Sequence, residues 1–377
     1  MAEATKRTGV VLFQLGGPET LEDIEPFLFN LFCDPDIIDF PFARLGRKPL
    51  AKLISVTRAS KVRRHYAEIG GGSPIRRNTA AQALALEKLL NAGAEDASGG
   101  ARLQPCRPGH SHQPALAAEG VFKVVVAMRY WRPFTREAVA ELEAAGCDQI
   151  VLLPLYPQYS STTTGSSLNE WERRWPGRET PTHVVREFYR DPGYLDSVVE
   201  KIEAALARFP APQAAELVFS AHSVPLAVIE KGDPYQRQIE ETVALVMRRG
   251  RFSNRHRLCY QSKVGASKWL QPSLRETLKR AAAEGVRDLC VVPIAFVSDH
   301  VETLAEIDHE AREMARGLGV RQFEMTAGLN DSPRFIAALA DLVMQAVAPA
   351  SSPAVARPSS AADILVSNGT ETLVATD

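Results

Sequence analysis

Short apolar runs alternate along the chain with segments in which apolar residues recur every three or four positions. The runs fall at 10–15, 121–128, 150–155, 217–221, 258–261 and 289–296. The helix-period segments fall at 79–90, 135–145, 238–248, 274–283, 301–318 and 333–346. Buried strands that alternate with helices are typical of α/β proteins with mostly parallel sheets.

A faint internal repeat sharpens this prediction. A helix, a glycine, a strand and a proline follow one another twice, with Gly146 and Pro154 in the first copy and Gly285 and Pro293 in the second. The glycine-to-proline spacing is the same in both copies. We therefore predict two similar Rossmann-like halves, each a mostly parallel sheet flanked by helices, facing each other across a cleft.

Composition sets the expected limits of these halves. We predict a first half over 8–190 and a second half over 191–346. The segment 91–120 is rich in Gly, Ala, Pro and His and lacks periodicity, so we expect a mobile insertion there. The Ala, Ser and Pro content of 347–377 predicts a disordered tail.

Bulk charge excludes one class of partner. The 377 residues include 44 Lys and Arg against 45 Asp and Glu, which leaves a net charge of −1, and 45% of them are hydrophobic. This balance supports a globular core and provides no bulk field that would attract nucleic acid, so we expect no nucleic-acid partner.

The cysteines and the apolar windows predict a compartment. Cysteines stand at positions 33, 106, 147, 259 and 290, without CxxC spacing, and are typical of reduced thiols. No window reaches the roughly 18 apolar residues of a spanning helix, and no apolar signal region follows the first charges. We expect a cytoplasmic protein, with contact at the inner surface of a membrane as the alternative.

The chemistry is expected at two strand ends that carry histidine. His222 follows the apolar run at 216–219, and His300 and Glu302 follow the run at 289–296. The carboxyl ends of parallel strands line the ligand crevice of open α/β sheets. An imidazole and a carboxylate that meet there can hold a divalent metal or transfer protons near neutral pH.

Each of these residues also has a purely structural interpretation. His222 can be a hydrogen-bonded residue of a strand-to-helix turn, and Asp299 with Glu302 resembles a capping box. Beyond Glu302, the next helix has a second row formed by Glu306, His309 and Glu313. An acidic row without a basic residue can relay protons or metal ions, whereas the alternative is an ordinary solvated face.

Further segments end at the same predicted edge. Leu15 precedes a Gly-Gly-Pro turn, Arg129 and Tyr130 follow the second run, and a hydroxyl-rich loop spans 156–165. A flat, mostly apolar ligand with acidic edges would use them all, whereas the alternative is ordinary loop and capping chemistry.

The segment 28–42 is dense in large apolar residues. One interpretation is a short helix that packs on the core. The other is an apolar lip at the mouth of the cleft that makes peripheral contact with a membrane.

Taken together, these residues resemble the ferrochelatases, which insert Fe²⁺ into protoporphyrin IX to make protohaem. The resemblance covers about residues 8–346. It is carried by LGGPET at 15–20, GGGSPI at 70–75, MRYW at 128–131, PLYPQYS at 154–160, FSAHSVP at 219–225, YQSKVG at 260–265 and FVSDHVETL at 296–304.

The resemblance implies roles for individual residues. It suggests His222 and Glu302 as the pair that handles the metal and accepts protons, with Glu306 behind them. By the same carry-over, the porphyrin cleft should be lined by Leu15, Arg129, Tyr130, Trp269 and His300. The residues leave open whether His222 acts as a base or as a metal ligand.

The resemblance also sets expectations for substrates and cofactors. Fe²⁺ and protoporphyrin IX would be substrates, and no cofactor would be permanently bound. Some family members hold a [2Fe–2S] cluster near the C-terminus, but no cysteine follows Cys290, so we expect no such cluster. The alternatives are a related chelatase that acts on coproporphyrin or sirohydrochlorin and a non-catalytic haem or metal binder.

Overall fold

A computed structural model describes residues 6–37, 43–96, 120–176, 179–262 and 267–348. Within these residues the strands are β1 (Lys6–Gln14), β2 (Gly120–Met128), β3 (Gln149–Pro154), β4 (Thr182–Val184), β5 (Glu216–His222), β6 (His256–Gln261), β7 (Asp288–Pro293) and β8 (Gln322–Met325).

The α-helices of the same residues flank these strands. They are α1 (Ile24–Phe32), α2 (Ala43–Glu68), α3 (Ile75–Asp96), α4 (Thr135–Ala145), α5 (Ser166–Arg174), α6 (Pro192–Leu206), α7 (Leu226–Glu230), α8 (Tyr235–Arg249), α9 (Leu274–Ala283), α10 (Arg312–Gly317) and α11 (Pro333–Val347). Two π-helical segments, Ser161–Gly165 and Glu302–Ala311, and a 3₁₀ turn, Pro212–Ala214, complete the elements.

The described strands form two four-stranded parallel sheets with the same internal order, β2-β1-β3-β4 and β6-β5-β7-β8. Gly146 and Gly285, at equivalent places before β3 and β7, both have positive φ angles, which glycine adopts without steric cost. The prediction of two similar Rossmann-like halves with parallel sheets is confirmed.

The core explains why the strands appear as continuous apolar runs. Val10–Phe13 of β1 and the apolar residues of β7 are almost completely buried, because helices cover both faces of each sheet. One apolar cluster joins residues of both halves, including Val10, Leu217 and Phe335. The halves therefore share a core.

The last helix crosses back to the first half. Helix α11 packs against α3 and α6 and also contacts β3 and β4. In addition, Gln82 Nε2 of α3 donates to Ser298 Oγ (3.0 Å) and to the carbonyl of Asn330 (2.9 Å) in the second half. The division of the chain at residue 190 stays a prediction.

Several predicted boundaries are wrong for identifiable reasons. The strand expected over 289–296 ends at Pro293, where the chain turns. The helix expected over 301–318 is π-helical over Glu302–Ala311 before it continues as α10. The pattern gave no signal for β4, an edge strand of three residues without an apolar run.

Other predictions fall partly outside the described residues. Helix α3 continues to Asp96, so 91–96 does not belong to an insertion, and 97–119 lies outside the described part. The same holds for 38–42 and for 349–377, whereas Val347, where the tail was predicted to begin, is the last residue of α11.

The apolar segment that begins at 28 packs inside the protein as far as the structure describes it. Leu28 and Phe32 of α1 are buried against Ala59 and Tyr66 of α2, as the core-packing interpretation predicts. No helix of the described residues has both the length and the hydropathy needed to cross a bilayer.

Candidate active site

The structure brings the two histidine-bearing strand ends together. His222 is the last residue of β5, and Glu302 opens the π-helix that follows its neighbour β7. His222 Nε2 lies 3.5 Å from Glu302 Oε1, and His300 Nε2 lies 3.5 Å from Glu302 Oε2. One carboxylate is therefore flanked by two imidazoles.

Backbone carbonyls fix the orientation of both rings. His222 Nδ1 lies 2.6 Å from the carbonyl of Ser223, and His300 Nδ1 lies 3.1 Å from the carbonyl of Ser298. Because a carbonyl oxygen only accepts, each Nδ1 carries a proton and donates it. Both Nε2 atoms consequently face Glu302, where they hold either a lone pair or a second proton.

Neighbouring hydrogen bonds support this arrangement and correct one expectation. The Tyr235 hydroxyl donates to the carbonyl of His222 at 2.9 Å. Asp299 accepts from the Gly328 backbone (3.1 Å) and from Asn330 Nδ2 (2.7 Å). Its carboxylate is thus used by another loop, and the capping-box interpretation of Asp299 and Glu302 is wrong.

An aromatic wall that sequence reasoning missed stands beside the histidines. The Phe296 ring lies 4.4 Å from the His300 ring and 6.4 Å from the His222 ring, measured between centroids. The apolar pattern assigned Phe296 to the strand over 289–296, but the strand ends at Pro293. A strand end predicted at this proline would have placed Phe296 in the loop beside the histidines.

Glu306 lies behind the pair, and its position depends on the π-helix. Each N–H of a π-helix bonds the carbonyl five residues earlier, so the turn is wider than in an α-helix and residues four apart stay near one face. The Ser262 hydroxyl donates to Glu306 at 2.6 Å, and Ser262 has a φ of +63°. A side chain in this sparsely populated region is a strain that often accompanies functional sites.

The remaining members of the predicted acidic row face outwards. The side chains of His309 and Glu313 are 48% and 68% exposed, and they lie 3.8 Å apart. On this outer side, His65 Nε2 of α2 lies 2.9 Å from Glu310 Oε1. A cavity of about 330 Å³ is lined by Ser60, Lys61, Arg64, His65, Glu68, His309, Glu310 and Glu313.

Charges within the inner cluster shift its proton affinities. Burial alone would lower the pKa of His222, but the carboxylates of Glu302 and Glu306 outweigh it and raise that pKa to about 9. Burial would raise the pKa of Glu302, but His222 and His300 hold it well below its ordinary value. Burial and the Glu302 charge raise the pKa of Glu306 to about 7.

A buried tyrosine also belongs to this environment. Tyr66, near the end of α2, is 3% exposed, and burial together with the Glu302 charge raises its pKa. Sequence reasoning missed it, because no local pattern links α2 to a strand end of the other half.

The predicted cleft residues of the first half meet at the ends of β1 and β2. The backbone N–H of Arg129 donates to the Gln14 carbonyl (2.8 Å), and that of Tyr130 donates to the Leu15 carbonyl (2.9 Å). Arg129 pairs with Asp34 at 2.9 Å, and Tyr130 is 1% exposed. Leu15 is partly exposed. Arg129 and Tyr130 therefore lie at the predicted edge of the cleft but are largely shielded from solvent.

Trp269 lies in the second half, next to the segment that follows His222. It forms an isolated bridge with Pro225, and the Leu270 N–H donates to the Val224 carbonyl at 3.1 Å. Its indole Nε1 is buried and has no hydrogen-bond partner among the described residues. The second half thus brings His222, His300 and Trp269 to one region.

This arrangement offers nitrogen and oxygen donors in an open set. In the described ranges, no three His, Cys, Asp or Glu side chains are grouped as a metal-holding cluster. The pair His222 and Glu302 instead combines a ring nitrogen with a carboxylate that is 27% exposed. Such a pair can contact a cation in transit and can also transfer protons.

The comparison with solved structures gave matches at low sequence identity. SirB from Bacillus subtilis with Fe³⁺ is 11% identical, with a TM-score of 0.47 over 91% of this chain and 96% of that chain. CbiX, described as the terminal enzyme of sirohaem biosynthesis in denitrifying bacteria, is 11% identical, with a TM-score of 0.49 over 91% and 100%.

Sequence relatives are much closer. A family model described as ferrochelatase matches residues 7–102 and 110–347. The ferrochelatase of Nostoc sp. is 44% identical over 348 residues, which cover 90% of this chain and 82% of the relative. The ferrochelatase of Synechocystis sp. is 45% identical over 346 residues, which cover 90% and 83%. The chain therefore belongs to the ferrochelatase family, and it is a metal chelatase of the lyase class whose substrates are a porphyrin and a metal ion.

Proposed function

We propose that this chelatase inserts Fe²⁺ into protoporphyrin IX and yields protohaem and two protons. The observation that carries the proposal is the placement of two imidazole Nε2 atoms on the two oxygens of Glu302, each at 3.5 Å. Metal insertion must remove two pyrrole protons and bring a cation to the ring centre. A site with paired nitrogen and carboxylate donors serves both needs.

The proposed proton path starts at His222. With a pKa raised to about 9, this imidazole is protonated at neutral pH while the site is empty. A base and a metal ligand both require the neutral ring, so the proton must leave before either role begins. An arriving divalent cation favours that loss by electrostatic repulsion.

Glu306 is the proposed next acceptor. Its pKa of about 7 allows it to take and release protons near neutrality, whereas Glu302 stays ionised because the histidines stabilise its charge. The Ser262 hydroxyl, 2.6 Å away, holds the Glu306 carboxylate in place.

The porphyrin is proposed to lie between the two halves. Leu15 from the first half and Trp269 and Phe296 from the second would provide apolar contacts to its faces. Contacts far from the ring centre can supply a few kcal/mol to bend the macrocycle, which exposes the pyrrole lone pairs to the metal.

Selectivity for Fe²⁺ is not expected from the donor set alone. Nitrogen and oxygen sites bind Zn²⁺ at least as tightly as Fe²⁺ according to the Irving–Williams order. We therefore expect Zn²⁺ insertion in vitro as well, detected by the absorbance and fluorescence of the zinc porphyrin.

The test is anaerobic Fe²⁺ insertion followed by absorbance, with protoporphyrin IX, coproporphyrin and sirohydrochlorin in parallel. The proposal expects the highest kcat/KM with protoporphyrin IX. A higher kcat/KM with either of the other tetrapyrroles would replace the substrate assignment. Tight binding of all three without turnover would support a non-catalytic binder instead.

The proposal includes no permanently bound cofactor. Among the described cysteines, Cys259 and Cys290 lie buried in β6 and β7, and Cys33 and Cys147 lie far apart in the sequence. Iron and acid-labile sulfide should be absent from protein purified anaerobically, and two of each per chain would contradict this expectation.

Because the described part of the segment 28–42 packs against α2, we propose that peripheral contact with a membrane is made through α2 instead. Leu50, Leu53 and Val56 are 37%, 62% and 49% exposed, and basic residues such as Lys52 lie among them. Exposed apolar residues on a basic helix suit an anionic lipid surface. Flotation with anionic vesicles should be weakened by Leu53→Ser, and equal flotation of both proteins would reject the contact.

A further inference from the structure

We infer that Asp34 is a positioning residue of the porphyrin cleft and that it holds Arg129 as a structural cation, not as a ligand for a substrate carboxylate. The inference rests on the proposed function, since it concerns how the cleft receives its porphyrin. It assigns a role to a residue of the loop after α1 that lies outside the inner cluster.

The Asp34 carboxylate is completely buried and fully used. Its side chain is 0% exposed, while that of its partner Arg129 is 11% exposed. Asp34 Oδ1 lies 2.9 Å from Arg129 Nη2 and accepts the Asp36 N–H at 2.9 Å. Asp34 Oδ2 accepts the hydroxyls of Tyr130 and Ser166, each at 2.6 Å.

These contacts join separate parts of the cleft. Arg129 and Tyr130 directly follow β2, whereas Ser166 opens α5 after the hydroxyl-rich loop. The Asp34 carbonyl also accepts from Arg47 of α2 at 3.1 Å. Through its carboxylate and its carbonyl, Asp34 therefore connects the loop after α1 and helix α2 to the strand ends of the first sheet.

A second set of bonds strengthens the same connection. Asn30 Nδ2 of α1 donates to the Tyr130 carbonyl at 3.0 Å, and Arg129 Nε donates to Ser166 Oγ at 2.8 Å. Asp34 and Ser166 accept from two of the five N–H donors of the Arg129 guanidinium, and the side chain is only 11% exposed, so the remaining donors have little access to a substrate carboxylate. Its main effect is to keep the edge next to Leu15 rigid.

A buried ion pair responds differently to the loss of one partner than to the loss of both. Removal of Asp34 alone leaves the Arg129 charge buried without its counterion, whereas neutralising both residues removes the imbalance. If Arg129 bound the substrate directly, its replacement would weaken porphyrin binding equally with Asp34 or with Asn at position 34. This difference makes the inference testable.

The experiment compares Asp34→Asn, Arg129→Gln and the double variant, by anaerobic Fe²⁺ insertion and by fluorescence titration with protoporphyrin IX. For Asp34→Asn we expect the porphyrin KM and dissociation constant to rise about tenfold, because misplaced contacts weaken binding, with the metal KM unchanged. In the double variant, the loss of porphyrin binding free energy should be much smaller than the sum of the losses in the two single variants.

The matched control is Glu216→Gln. Glu216 is a buried carboxylate that pairs with Arg257, and the two side chains are 3% and 15% exposed, but Glu216 begins β5 and lies at the amino-terminal edge of the second sheet. Its loss should leave the porphyrin KM and dissociation constant unchanged. A porphyrin KM that rises as much in Glu216→Gln as in Asp34→Asn would show a general loss of stability and would overturn the inference.

Ser166→Ala keeps the test available if Asp34→Asn does not fold. It removes the hydroxyl group that donates to Asp34 and accepts from Arg129. We expect a smaller rise in the porphyrin KM and an unchanged metal KM. Unchanged porphyrin binding in Ser166→Ala, or strictly additive losses in the double variant, would reject the role of Asp34. Absence of turnover in the wild-type chain would contradict the proposed function, whereas the fluorescence titration would still test this inference.

Discussion

The two halves have the same strand order but different chemistry at the carboxyl ends of their strands. In the first half, the charged pair Arg129 and Asp34 is 11% and 0% exposed. In the second half, His222 and Glu302 are 34% and 27% exposed. The shared topology places both charged pairs at the carboxyl ends of strands. The residues that follow each strand decide whether the pair is buried in the protein or accessible to a substrate.

This difference predicts where mutations act. Loss of one partner from a buried ion pair mainly lowers folding stability, because an uncompensated charge stays inside the protein. Loss of a partner from an accessible pair mainly removes chemistry. Variants of the first half should therefore change stability and porphyrin binding, and variants of the second half should change turnover.

The largest effect is expected for His222→Ala. It removes one of the two ring nitrogens that lie 3.5 Å from Glu302, the one assigned here as base or ligand, so turnover should fall by about 10³-fold or more. Protoporphyrin IX should still bind, as measured by fluorescence titration. Wild-type turnover in this variant would refute the role of His222 and would remove the contrast between the halves.

Glu302→Gln should reduce kcat by about 10²-fold, because it removes the charge that stabilises the imidazolium and the incoming cation. It should also shift the pH profile. Burial lowers the pKa of His222, and Glu302, with a smaller contribution from Glu306, outweighs burial and raises that pKa to about 9, so removal of the Glu302 charge should lower it.

The direction of the pH shift follows from the proton that must leave. The active imidazole is neutral, so kcat/KM rises with pH through the pKa of His222 in the free enzyme. In Glu302→Gln this rising limb should move to lower pH. A limb at the wild-type position, or one at higher pH, would mean that another group controls the profile.

Much of this contrast is visible in the sequence. His222 and the pair His300 and Glu302 each follow an apolar run that ends in a turn signal, and parallel strand ends meet at one edge of a sheet. Convergence of these residues could therefore be predicted. The Gly146 and Gly285 repeat likewise predicted that the two sheets would match.

Other features depend on contacts that leave no local signal. Asp34 meets Arg129 from a distant part of the chain, and Tyr66 approaches Glu302 from α2. The π-helical hydrogen bonds, which change which side chains share a face, are set by packing and not by periodicity. For this reason the pattern grouped His309 with Glu306, although His309 lies on the exposed side.

Asp34→Asn should reduce stability more than Glu302→Gln does. By analogy with other buried pairs that lose one partner, the free energy of unfolding should fall by about 3 kcal/mol, measured by urea denaturation. In Glu302→Gln the loss should be below about 1 kcal/mol, since the Glu302 side chain has access to water. An equal loss in both variants would show that the two strand ends do not differ in this way.

The smallest effect is expected at the outer end of the same π-helix. His309 and Glu313 form a pair at 3.8 Å with side chains 48% and 68% exposed, and water screens such pairs strongly. His309→Asn should therefore change kcat and the porphyrin KM by less than about twofold, which corresponds to well under 1 kcal/mol. Since His309 and Glu306 were grouped by sequence spacing alone, Glu306→Gln is the informative partner variant. It should lower kcat well beyond twofold, because it removes a half-buried proton acceptor with a pKa of about 7. Equal effects of the two variants would mean that the whole row acts together, and the boundary between the accessible inner site and the solvated outer face would have to move outwards along the helix.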